Sequence, residues 1–121
     1  MLAFYCVASF IHFAHNAEFI ASYPNLPPWL TRTKVYAAWL AITSVGLVAI
    51  AAYKLGLRVL GIVLIAIYAA FGFDGLAHYS RAPFLAHSLA MNATIGFEVV
   101  AAAVLLVASF CLLFRGRTMD T

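Results

Sequence analysis

His12, His15 and Glu18 lie in the second half of one apolar stretch, Asp74 and His78 at the end of another, and His87 and Glu98 in the first half of a third. Histidines and carboxylates exchange protons near neutral pH and ligate transition metals. On a helix, His15 and Glu18 lie about 60° apart and Asp74 and His78 about 40°. His87, Met91, Thr94 and Glu98 make one stripe whose ends are about 20° apart over three turns.

Two chemistries suit this set. In the first, His15, Glu18, Asp74, His78, His87 and Glu98 ligate iron, zinc or manganese. The pairs His15-x-x-Glu18 and Asp74-x-x-x-His78 have one-face spacing, but the chain has neither H-E-x-x-H nor a repeated E-x-x-H. In the second, Glu18, Asp74, His78 and Glu98 perform metal-free acid–base catalysis, with Glu98 or Asp74 as proton donor and His15 or His78 as base. Isomerisation or hydration of a lipid suits that arrangement. His15 with His78 or His87 is also a candidate pair for haem b or for contact with a quinone. The clustered acids add negative charge that a haem does not use. Proton relay, transport and a non-catalytic role as a subunit of a larger membrane complex use the same groups. His12 alone reads as a packed histidine bonded to a neighbour.

The elements that must position these groups follow from composition. The chain has 121 residues, 66% hydrophobic and only 9% charged, with mean hydropathy +1.02. Soluble domains carry roughly 25% charged residues, so this chain expects lipid as its main solvent. The net charge of +3 rests on seven Lys and Arg. No basic run is interleaved with aromatics, which argues against nucleic acid. Cys6 and Cys111 form no C-x-x-C pair, so dithiol chemistry has no support. The opening "MLAFYCVASF" has no Lys or Arg before its apolar stretch, and reads as a retained membrane helix rather than a cleaved signal.

A membrane helix needs about 20 apolar residues, and residues 2–22, 35–53, 59–78 and 84–114 qualify. The last is longer than a bilayer requires and contains one acid, Glu98. The connections "YPNLPPWLTRTK", "KLGLR" and "YSRAP" are short, which makes sequential helices antiparallel neighbours. The expected fold is a single all-α domain over residues 1–121, a four-helix transmembrane bundle of up-down topology. Alanines and glycines such as Ala37, Gly46, Ala66, Ala70 and Ala101 allow close helix approach in lipid. Lys54, Arg58, Arg115 and Arg117 outnumber Arg32, Lys34 and Arg81, which votes for cytoplasmic termini in a bacterial inner membrane. Tyr23, Trp29 and Tyr79 then mark the outer interface.

"EFIASYPNLP" aligns with "DGLAHYSRAP" at an offset of 56 residues, with Ala, Tyr and Pro identical and Glu18 matched to Asp74. This pattern suggests two repeated helical hairpins. In either case, the up-down order brings the three polar regions to the side of the membrane away from the termini. Three acids and four histidines in apolar spans cost several kcal/mol unless they pair, bind an ion or meet water, so such residues are a functional-site hypothesis. Glu98 lies roughly 20 Å along its helix from Pro83 and is hardest to read as structural. Asn92 points about 140° away from His87 and reads as a bond to another helix. The expected partners are the bilayer and a hydrophobic small molecule, with assembly as a homo-oligomer or in a larger complex.

"HNAEFIASYPNLPPWL" resembles the start of small bacterial membrane proteins with an H-x-x-E-E signature in their first helix, followed by a proline-rich turn. His15, Glu18 and the prolines match, and Phe19 replaces the second acid. The resemblance covers about the first quarter of the chain and implies an active site at His15 and Glu18.

Overall fold

In a computed structural model, which describes residues 1–117 and side chains as far as residue 115, the chain is an all-helical bundle. The Arg117 side chain and residues 118–121 of the expected domain lie outside the described part. Helix α1 is Leu2–Glu18, α2 Arg32–Lys54, α3 Arg58–Ala70, α4 the short Ala77–Arg81, and α5 Leu89–Arg117. A 3-10 segment, Phe71–Leu76, joins α3 to α4, so Arg58–Arg81 forms one apolar rod. This rod, α2 and α5 are each long and apolar enough to cross a membrane. At 17 residues, α1 is shorter.

The ends of the elements have local causes. Phe19 leaves helical geometry at φ −110°, ψ 28°, and α1 gives way to a 3-10 turn over Ile20–Ser22. The helix therefore stops at Glu18, short of the expected residue 22. Helix α2 starts at Arg32, before the expected residue 35, because the Thr31 hydroxyl accepts a hydrogen bond from the Lys34 backbone N–H. It ends in a Schellman turn: the Leu57 and Gly56 N–H groups donate to the Ala52 and Tyr53 carbonyls. Gly56 there has φ +86°, a conformation that suits glycine.

The start of α5 is the largest departure from expectation. Residues Phe84–Ala86 form a separate 3-10 turn, His87 is extended, and α5 begins at Leu89. Ser88 is the cause. Its hydroxyl accepts from the Met91 N–H and caps the helix. The serine cap, not Pro83, therefore fixes where the helix begins.

The helices form a closed ring in which α2 packs on α3, α3 on α5, α5 on α1 and α1 on α2. Tyr5 meets Tyr68, and His12 meets His78, so α1 and the third rod run in the same direction. The core holds Tyr5, Ala8, Tyr68, Ala69, Ala101, Ala102 and Leu105. The Tyr5 hydroxyl donates to the Tyr68 carbonyl near the end of α3 at 3.1 Å. Gly72 permits this approach, since a Cβ on it would lie 2.5 Å from Ala102 Cβ and 2.7 Å from Tyr5 Cε2. Outward, Phe4, Phe10, Leu40, Leu47, Val59, Val100 and Val107 are exposed. So much exposed apolar surface on each of α1, α2, α3 and α5 suits lipid, not water.

The two halves of the chain each form a helical hairpin, and their turns meet where the Asn25 amide donates to the Arg81 carbonyl at 2.8 Å. Asn25 itself takes a positive φ of 56°, a conformation asparagine tolerates in tight turns.

Candidate acid–base site

Glu98 is the most deeply placed ionisable group, with 1% of its surface exposed on a helix that is apolar all round. Neither carboxyl oxygen has a hydrogen-bond partner. The nearest basic group is His12 Nε2 on α1, 3.7 Å from Glu98 Oε2. Gly75 leaves the space above the pair: a Cβ on it would lie 3.5 Å from Glu98 Oε2 and 3.6 Å from His12 Nε2.

Partner chemistry assigns the proton on His12. The Thr94 hydroxyl donates to the Met91 carbonyl at 3.0 Å, so its oxygen is free to accept from His12 Nδ1, 3.5 Å away. Neutral His12 then carries its hydrogen on Nδ1 and presents a bare Nε2 to Glu98. A bare nitrogen faces a carboxyl favourably only when the carboxyl brings the hydrogen. A neutral Glu98–His12 pair of this kind would share one proton. The neutral arrangement also avoids two poorly solvated charges amid lipid.

The same reasoning orders the other histidines. His78 Nε2 faces the Asn16 amide nitrogen at 3.2 Å and accepts from it, so its hydrogen sits on Nδ1, which has no partner. His87 Nδ1 lies 3.1 Å from the Pro83 carbonyl, which can only accept, so Nδ1 donates and the unpartnered Nε2 is an acceptor. His12, His78 and His87 stand in file, with ring centroids 5.6 and 6.1 Å apart. Beside them the Tyr79 hydroxyl donates to Asn92 Oδ1 at 2.9 Å, which gives Asn92 the structural bond its angle suggested.

His15 stands outside this file. Its Nδ1 is 2.9 Å from the Tyr23 hydroxyl, and Tyr23 is itself buried at 4% exposure. Burial pushes the Tyr23 phenol up to about 12, with the neighbouring Thr94 hydroxyl pulling slightly the other way.

A cavity of about 210 Å³ opens beside the pair, between α1, α2 and the Asp74–Arg81 segment. Its polar lining is His12, Asn16, Asp74, His78 and Arg81. Leu26, Leu30, Val35 and Ala38 supply an apolar wall. Gly75 and His12, which lie beside Glu98, both line it.

The structure brings His78, His87 and Glu98 together with His12. It leaves Asp74 exposed on the rim and turns Glu18 away. Glu18 is exposed, pairs with Arg32 at 2.6 Å and accepts from the Tyr36 hydroxyl at 2.7 Å. The expected stripe from His87 to Glu98 does not exist as a helix face, because His87 precedes the helix that Ser88 caps. Among the described residues no three His, Cys, Asp or Glu side chains are placed to hold a metal ion. The expected set of His15, Glu18, Asp74, His78, His87 and Glu98 does not converge, and the residues present do not fit iron, zinc or manganese. The cavity falls below the roughly 300–1,000 Å³ typical of drug-sized ligands. Sequence reasoning placed Thr94 on the stripe with Glu98 but missed Asn16, Tyr23 and Gly75 as parts of the site.

Comparison with known proteins adds no relative: no family model, no curated protein and no solved structure matches the chain.

Proposed function

We propose that this membrane protein binds a small hydrophobic molecule by its polar head and exchanges a proton with it. The observation that carries the reading is Glu98, buried at 1% exposure, without a hydrogen-bond partner and facing a bare imidazole nitrogen. A purely structural carboxyl at that depth would find donors, because an unsatisfied buried polar group costs about 1–3 kcal/mol.

The unpartnered groups describe the ligand. His78 Nδ1–H is an unused donor, and Asn16 Oδ1 is an unused buried acceptor. A head that both accepts and donates, such as a hydroxyl, phenol or hydroquinone oxygen, satisfies the two together. Its apolar part lies against Leu26, Leu30 and Val35. A head reaching the inner end of the cavity passes Gly75 and meets the Glu98 carboxyl. There Glu98 gives or takes the proton while His12 Nε2 holds the other side of the carboxyl. Asp74 on the rim adds a second carboxylate. His15 and Glu18, the residues of the H-x-x-E pair, take separate roles. Charge bias puts the cavity at the outer interface of a bacterial inner membrane.

Native mass spectrometry of the protein carried with its own lipids in nanodiscs tests this. The wild type retains one hydrophobic small molecule per chain. Gly75→Val, which fills the inner end of the cavity, and Asn16→Leu, which removes the acceptor, release it. The same adducts in all three proteins, or none in the wild type, would overturn the reading.

A further inference from the structure

Two side chains of opposite charge, Asp74 and Arg81, line the cavity. Neither makes an ion pair or a side-chain hydrogen bond among the described residues. Glu18, the other acid near this end of the bundle, is already taken by Arg32 and Tyr36. Arg81 is the only Lys or Arg in the lining. Its backbone is held, because its carbonyl accepts the Asn25 amide at 2.8 Å, so a tethered turn presents the guanidinium at the cavity. Arg81 follows His78 by three residues on α4, which sets the two side chains about 60° apart. The turn-bearing end of the cavity thus combines an unpaired cation with the unused His78 N–H. Asp74 lies about two turns earlier on the same rod, next to Gly75.

We propose that the ligand is a compact hydroxy acid, with a hydroxyl or phenol that enters toward Gly75, a short apolar middle, and a carboxylate held at the mouth by Arg81. The proposal rests on the reading that the cavity binds a polar head, and it adds the chemistry of the ligand's other end. Charge sets the orientation. At the inner end a carboxylate would meet Asp74 and Glu98, whereas at the mouth it meets Arg81. A guanidinium pairs with a single carboxylate through two parallel hydrogen bonds. A phosphate monoester carries close to two negative charges and would call for a second cation. The lining offers none, since His12 and His78 keep their hydrogen bonds as neutral imidazoles. Size sets the middle. From Gly75 to Arg81 the rod advances on the order of 10 Å, and the cavity holds about 210 Å³. One aromatic ring with its two groups at opposite ends matches both figures, and it lies against Leu26, Leu30, Val35 and Ala38. Arg81 is then a specificity-determining residue, and the proton exchange stays with Glu98.

Equilibrium dialysis of radiolabelled 4-hydroxybenzoate and its uncharged methyl ester against the protein in phosphatidylcholine nanodiscs tests this, with empty nanodiscs subtracted. The acid binds the wild type about tenfold more tightly than the ester, the scale of one charge-assisted hydrogen bond. Arg81→Gln brings the acid down to the level of the ester and leaves the ester unchanged. Arg81→Lys, which keeps the charge and loses the fork, falls between. The side chain of Arg81 is exposed and its tether to Asn25 runs through the backbone, so both variants keep the wild-type unfolding temperature. Equal affinity for acid and ester, or an acid affinity that Arg81→Gln does not move, overturns the carboxylate. If both compounds are then lost together in Asn16→Leu, the cavity reading beneath it stands. Binding of neither compound overturns the hydroxy acid alone where native mass spectra still show another adduct, and the cavity reading with it where they show none.

Discussion

Glu18 and Glu98 are both acids within apolar stretches of the same chain, and the fold treats them in opposite ways. Glu18 sits at the end of α1, where the proline-rich turn brings Arg32 and Tyr36 within reach, and it stays exposed. Glu98 sits ten residues into α5 near Ile95, Gly75 and His12, and neither carboxyl oxygen makes a hydrogen bond of good geometry. An acid near the interface is stabilised by the neighbours any turn supplies. An acid in the middle of a span must keep its proton or share it. The aligned acid of the second hairpin, Asp74, follows the interfacial pattern and is exposed. Depth along the helix, more than sequence spacing, decides which acid belongs to the chemistry.

The sharpest way to break this comparison is a fixed charge of the opposite sign. Glu98→Lys places an ammonium at a fully buried position in the span, and should destabilise the fold by about 2.5–3.5 kcal/mol, the insertion-scale cost at a helix centre. Glu18→Lys, beside Arg32 at the exposed interface, should cost about 1 kcal/mol or less. Thermal unfolding in detergent, followed by size-exclusion chromatography, checks both. Equal losses would mean that Glu98 is as well solvated as Glu18.

A smaller effect sharpens the comparison on the side of the turn. The Tyr23 phenol titrates near 12 in the folded protein against 10.0 when unperturbed. Its folded value is raised, so the folded state holds the proton more tightly, and stability from this group is whole below pH 10. That stability declines as pH rises above 10 and is gone once pH passes 12. Ultraviolet titration of tyrosinate should show one phenol ionising near pH 12 that Tyr23→Phe removes. Removal of a phenol that ionises near 10 would place Tyr23 in water and take it out of the buried network.

Composition and run length made the bundle legible. Four apolar stretches joined by short turns leave little choice but an up-down ring. The ends of the elements were less legible because single side chains set them. Thr31 starts α2 early, and Ser88 starts α5 late. The Ser88 cap also explains the misplaced part of the site, since angles taken along one continuous helix put His87 on the Glu98 stripe. His12 looked like packing when read alone. Its role depends on Glu98, Thr94 and Gly75, which meet it from two other elements. Gly75 carries no chemical signal in a sequence, because what it contributes is the absence of a side chain. Tyr23 read as an interfacial aromatic, and only the fold-back of the turn shows its hydroxyl pointing to His15.

The central claim is that Glu98 and His12 share one buried proton, and infrared spectroscopy of the resting protein at neutral pH measures it most directly. The account predicts a carboxylic C=O band that disappears in Glu98→Gln, shifts in His12→Gln and is untouched by Glu18→Gln. A spectrum in which Glu98→Gln removes only carboxylate bands would contradict it, since Glu98 would then be an ion and not the keeper of the proton.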